Sequence, residues 1–177
     1  MLLRTRDIDM RYEQRAENCW YDVGTNAFLA ALPPGAKPAD VDVTPLLASK
    51  KRAAIGELNG ACAIRITGGI TLSVLGSPHR YDTEEHDQLN MLGLLQNGVQ
   101  QYDFPCADAN GVKADRTHMA AQLKAVRDAF IGFKGELLKI NRLAKAAVES
   151  ADTAEGVRAA LRNGLSAMAA VSSTVSS

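Results

Sequence analysis

From Met119 onward the apolar residues fall into a line. Met119, Leu123, Val126, Phe130, Phe133, Leu137 and Ile140 recur at alternating steps of four and three, and Ala144 and Ala147 continue the series. That heptad period predicts one long helix with a continuous apolar seam. Ile131, Leu138 and Leu143 widen the stripe beyond a two-stranded seam. The helix is therefore expected to pack on two neighbours, either the following helix of the same chain or symmetry mates in a homotrimer. The closing stretch SADTAEGVRAALRNGLSAM sets Val157, Leu161, Leu165 and Met168 on one face behind Asp152 or Thr153 as cap. It predicts a shorter helix that folds back on the first as a helical hairpin. Residues 171–177 read as a tail with nothing to bury.

Upstream the pattern is more broken. Thr44 can cap a helix with Pro45 in its first turn, and Leu47, Ala54, Ile55, Leu58 and Cys62 follow at helical spacing, predicting a helix over 45–64 stopped by Gly68 and Gly69. ITLSVLG alternates Ile70, Leu72 and Val74 against Thr71 and Ser73, a half-buried strand that ends at Gly76. LNMLGLLQNG places Leu89, Leu92 and Leu95 on one helical face with Gly98 as the stop. QQYDFPCADANGVKAD reads as a hairpin turning at Asn110-Gly111, with Pro105 expected to hold its first strand at a sheet edge. Residues 1–32 mix charge with Trp20, Tyr21, Phe28 and Leu29 and match neither period, so they are expected to form an extended docking segment that uses those four side chains. The stretch PPGAKPADVDVTP follows, too rich in proline for regular structure. The predicted organisation is a docking segment (1–32), a Pro-rich linker (33–43), a helical domain (44–170) and a tail (171–177). Its fold class is mainly α with a small β element: a helical hairpin with a heptad-patterned long helix, a short strand and hairpin, and an extended N-terminal segment.

Composition adds little to this picture and removes several functions from it. Aromatic residues make up only 5% of the chain, so alanine and leucine must fill the core, and both favour helix. Lys+Arg and Asp+Glu balance at 20 each, which leaves no electrostatic footprint for nucleic acid or an acidic membrane. The three cysteines, Cys19, Cys62 and Cys106, form no CxxC pair and cannot all be bridged within the chain, as in a protein made in a reducing cytoplasm. The first residues offer no run long enough for a signal peptide or membrane span.

Candidate chemistry concentrates in SPHRYDTEEHDQLN, residues 77–90. A metal-dependent hydrolase would recruit His79, Asp82, His86 and Asp87 there, because imidazole and carboxylate suit zinc, iron or manganese. The spacing argues for a helix start instead. Asp82 or Thr83 accepts the free N–H groups, Glu84 and Glu85 complement the positive end of the dipole, and the leucine face begins at Leu89. Cys106 and His118 could meet across the hairpin, yet a lone cysteine beside a proline reads as small apolar packing. The glycines of ITGG lack the following Lys-Ser/Thr of a phosphate loop. No catalytic, metal-binding or cofactor-binding residue is expected.

The lead-in GSPHRYDTEEHDQLNMLG, the hairpin with its C.D..G.K spacing, TH..AQL..V...F and the closing AAVESADTAEGVRAAL together resemble an uncharacterised domain family of tail-fibre and baseplate gene clusters in tailed bacteriophages. The matching positions include Tyr81, Asp82, Thr83, Asp87, Gln88, Leu89 and Asn90, and then 151–153; the resemblance spans about residues 50–168. It implies a structural component of the virion, part of or attached to the tail fibre or baseplate, synthesised in the cytoplasm of a host bacterium and acting by protein–protein packing. The implied partners are other tail proteins, and no enzyme residue is implied. The alternative function is an assembly chaperone for the tail fibre that is absent from the finished particle.

Overall fold

The computed structural model describes residues 11–37 and 41–174. Of the expected segments, residues 1–10, the linker's 38–40 and the tail's 175–177 lie outside the described residues. Among the described residues the chain forms eight strands in two four-stranded sheets and four helices, a mixed α/β protein. This corrects the expectation of a mainly α chain built as a helical hairpin with one heptad helix.

The first sheet occupies the region expected to be merely extended. Strands β1 (Tyr12–Ala16), β2 (Cys19–Asp22) and β3 (Ala27–Leu29) form an antiparallel meander, and β4 (Val41–Asp42) pairs parallel to β1, giving the order β3-β2-β1-β4. These strands show no period-2 pattern because they are two to five residues long and β1 is broken by a bulge between Gln14 and Ala16. The buried Asp22 closes the β2–β3 turn, its Oδ1 accepting from the backbone N–H groups of Gly24 (2.8 Å) and Thr25 (3.2 Å). Lys50 on the following helix donates to Glu17 at 2.8 Å and ties this sheet to the rest.

Helix α1 (Thr44–Thr67) starts with Pro45 in its first turn and buries Ala54, Leu58 and Cys62. Thr44 is its first residue rather than its cap; its N–H is taken by Asp42 at 2.8 Å. The helix ends at Gly68, and Gly69 turns the chain into the second sheet at φ 85°, where a Cβ would lie 2.8 Å from the Tyr81 carbonyl oxygen. Only glycine fits that turn. Strand β5 (Ile70–Leu72) then pairs with β6 (His79–Tyr81), and β7 (Gln101–Ala107) pairs with β8 (Lys113–Met119) around the Asn110-Gly111 turn, in the all-antiparallel order β5-β6-β7-β8. Strand β7 is thus internal, contrary to the edge position expected from Pro105. The proline is tolerated because β6 meets β7 only at Arg80↔Ala107, so no N–H is wanted at residue 105 on that side.

Helix α2 (Glu85–Gln96) crosses from β6 to β7, and α3 (Ala120–Ser150) runs directly out of β8. Helix α4 (Ala154–Ala170) is capped by Thr153, whose hydroxyl accepts from the Gly156 N–H at 3.0 Å. The buried row of α3 is Leu123, Val126, Phe130, Phe133, Leu137, Asn141, Ala144 and Val148. Its seven steps average about 3.6 residues, the period of a straight α-helix rather than a supercoiled heptad. The seam therefore drifts after Leu137: Ile140 is only partly buried and Ala147 is exposed. One core unites Leu58 and Cys62 of α1, Ile70, Leu72, Tyr81, Tyr102, Phe104 and Cys106 of the second sheet, the apolar members of the α3 row, and Val157 and Met168 of α4. At Gly164 α4 lies tight against α3 and α1, with no room for a side chain.

Candidate functional site

The expected seam residues are shared out by this packing. Leu123, Val126, Phe130, Phe133 and Leu137 are buried within the single chain, while Met119 stands exposed at the end of β8. What a partner can reach is the outer side of the same helices. In α2 the residues turned to the core are Asp87 and Met91, because a helix of three turns carrying leucines on two faces must choose one. The leucine row expected on one face is therefore split: Leu95 packs partly on the core, whereas Leu89 and Leu92 are 63% and 44% exposed. On α3, Ile131 and Leu138, seven residues apart and so on one face, are 57% and 47% exposed.

Leu89, Leu92 and Ile131 line one groove between α2 and α3, a cavity of about 260 Å³ floored by Met91 and Phe130. Its rim is polar. Lys134 donates to Gln88 Oε1 at 3.1 Å and sits 5.7 Å from the centre of the Phe130 ring, and Gln88 in turn donates to the Thr83 carbonyl at 2.8 Å. Apolar floor, exposed leucines and a hydrogen-bonded rim form a surface that gains by losing water to a partner of matching shape.

The aromatic docking residues divide between two faces of the first sheet. Tyr21 pairs with Phe28 across β2 and β3, their ring centres 5.2 Å apart, with the Arg15 guanidinium 5.4 Å from the Tyr21 ring. Phe28 is strongly exposed. Trp20 pairs with Leu29 on the opposite face, where both are half-buried. The four residues thus do not form one patch.

The stretch 77–90 serves three separate purposes. His79 and Tyr81 are the inward positions of β6, and His79 Nδ1 lies 2.8 Å from the Ser77 carbonyl. Asp82 accepts from Lys113 at 2.7 Å, and that bond, with the attraction behind it, raises the lysine's pKa. Thr83, expected as a cap of α2, is buried and reaches back to α1: its hydroxyl donates to the Ile66 carbonyl at 2.6 Å and accepts from the Gly69 N–H at 2.9 Å. The cap is Glu84, which forms a reciprocal box with Asp87. Of the four metal candidates only His86 and Asp87 come together, beside Glu84, with donor atoms within 4.8 Å of one another. All three belong to the first turn and cap of α2, and His86 and Glu84 are open to solvent.

Behind β6 lies a buried polar group in which Tyr81 joins His118 and Cys106, the pair expected to be able to meet across the hairpin. His118 Nδ1 is 2.7 Å from the Arg116 carbonyl, which can only accept, so this nitrogen carries the proton and Nε2 accepts from the Tyr81 hydroxyl at 2.9 Å. Burial lowers the His118 pKa and raises those of Tyr81 and Cys106, so all three are neutral. The Cys106 thiol takes a long contact from Arg116 at 3.8 Å, and Arg116 pairs with Asp108 at 3.2 Å. With both imidazole nitrogens engaged, His118 does not act as a base on Cys106; the set locks β6, β7 and β8 together. Among the described residues no helix is long and apolar enough to cross a membrane.

No curated protein and no solved structure matches the chain. One family model matches residues 49–161, from the first turns of α1 through the second sheet and α3 into α4, and leaves the first sheet outside. That span covers more than half of the chain, which therefore belongs to the family described as Domain of unknown function (DUF4376).

Proposed function

We propose that this chain is a structural component of a bacteriophage tail, part of or attached to the tail fibre or baseplate, and that it works by packing against other tail proteins rather than by catalysis. The observation that supports this reading most is the exposed row Leu89, Leu92, Ile131 and Leu138 on α2 and α3. Four large apolar side chains left outside a core that could have used them mark an interaction surface better than a substrate pocket. The partner in this reading is a neighbouring tail protein, with a second or third copy of the chain as one form of it. The first sheet, with Phe28 and Tyr21 outward, is the second contact region. The protein is made in the host cytoplasm and ends in the virion. Mass spectrometry of purified particles tests this: the chain should be present in a fixed ratio to the fibre or baseplate proteins. Absence from particles whose assembly nonetheless requires the gene would make it an assembly chaperone and overturn the reading.

A further inference from the structure

Beyond Val171, which packs partly on the core, the serines and threonine that follow α4 are not idle. After α4 the chain turns back at Val171, whose carbonyl accepts from Arg65 on α1, and Ser173 and Thr174 then run beside β5. The Thr71 N–H donates to the Ser173 carbonyl at 2.8 Å, and Thr71 and Thr174 form a parallel bridge. Ser172 shapes the approach, its hydroxyl donating to the Thr174 carbonyl at 2.9 Å and accepting the Thr174 N–H at 3.1 Å. Strand β5 is an edge of the second sheet. Its Ile70 and Leu72 side chains are buried on the core, and the residue between them turns its N–H outward. An edge of this kind is a template for any extended chain that can bond it.

The geometry points to the β5 edge as a strand-addition site, filled within one chain by its own residues 173–174 and able to take the same segment from a second copy. The segment already seated there demonstrates the direction, parallel, and the anchoring bond, Thr71 N–H to a carbonyl. Recognition runs through the backbone, as in other strand additions, and the incoming side chains are small and hydroxylic, so an identical segment satisfies the site equally well. Attachment at Val171 keeps the chain's own tail at millimolar effective concentration. The site is therefore closed in a lone chain and opens to exchange only where copies are crowded together, as neighbouring subunits in an assembly are.

A variant ending at Ser172 frees the edge while keeping Val171 and Met168 in place. The probe is a synthetic peptide of residues 169–177, titrated by calorimetry into that variant and into the full chain, with circular dichroism as the check on folding. The expected result is one-to-one binding to the shortened protein and at least tenfold weaker binding to the full chain. Thr71→Pro in the shortened protein removes the outward N–H at an edge position that tolerates proline, and should abolish binding without unfolding. Failure of the folded, shortened protein to bind the peptide, equal binding by the full chain, or binding that survives Thr71→Pro would each overturn the inference.

Discussion

Gly164 is the point at which a single methyl group should separate the three packed helices. A Cβ built there lies 2.5 Å from the Ala144 Cβ on α3 and 2.8 Å from Leu58 Cδ2 on α1. Leu58 is fully buried and has little room to swing, and the Ala144 Cβ moves only with its backbone. Gly164→Ala therefore forces α4 away from α3. Overpacking of this sort costs about 1–3 kcal/mol, and contact with a backbone-fixed atom puts it at the upper end. Alanine returns about 1 kcal/mol of helix propensity. The net loss should be about 1–2 kcal/mol, read as a lower urea midpoint with an unchanged slope. Two companions make the reasoning falsifiable. Gly132→Ala, on α3 with nothing within 4 Å of its Cβ, should gain stability by about 0.4–1 kcal/mol. Ala144→Gly combined with Gly164→Ala should recover part of the packing loss, so that the double variant is more stable than the two single effects added together. A Gly164→Ala protein as stable as the parent would refute the close α3–α4 contact on which the placement of the whole C-terminal third depends.

Thr83→Val should cost about 1–3 kcal/mol, because it strands the Ile66 carbonyl and the Gly69 N–H in the interior, whereas Glu84→Ala should cost about 1 kcal/mol as a lost cap; thermal melts of the pair rank them. His118 is held neutral by burial, with Tyr81 and Arg116 against it and His79 and Asp103 nearby. Its folded pKa lies below the ordinary 6.5, so the unfolded chain takes up the proton first. The stability it contributes is whole above pH 6.5 and falls as pH drops through the window below it, by at most about 1.4 kcal/mol per pH unit. His118→Asn should flatten that part of the urea-midpoint profile; an unchanged slope would contradict the buried neutral imidazole. Leu89→Lys and Ile131→Lys, both on the exposed row, should change the unfolding free energy of the isolated protein, read by urea titration, by no more than about 0.5 kcal/mol.

Legibility tracked the length of each element. Helix α3 is 31 residues long, so its inward positions from Leu123 to Leu137 could be read directly; only the choice between a 3.5 and a 3.6 period was lost, and Asn141 and Val148 decide it. Helix α2 has 12 residues with leucines around most of its circumference, and Met91 beside the capping Asp87 determines its orientation, which no period reveals. Strand β6 reads as a helix lead-in because its two inward residues are His79 and Tyr81, which are buried against polar partners rather than oil. The first sheet escaped notice for a similar reason: its inward positions include Asp22, and its strands are too short to alternate visibly. Of the candidate surface, Ile131 and Leu138 were visible as a surplus beyond the seam, but the groove that Ile131 shares with Leu89 and Leu92 required the packing of α2 on α3.

The row formed by those four residues is the central functional claim, and the copy number of the chain per particle tests it most directly. Quantitative mass spectrometry of virions assembled with the parent chain and with the Leu89→Lys, Ile131→Lys double variant should find the parent in a fixed ratio to a fibre or baseplate protein, and the variant reduced at least tenfold although it remains folded and expressed. A variant incorporated as fully as the parent, or a parent chain absent from the particles, would contradict it.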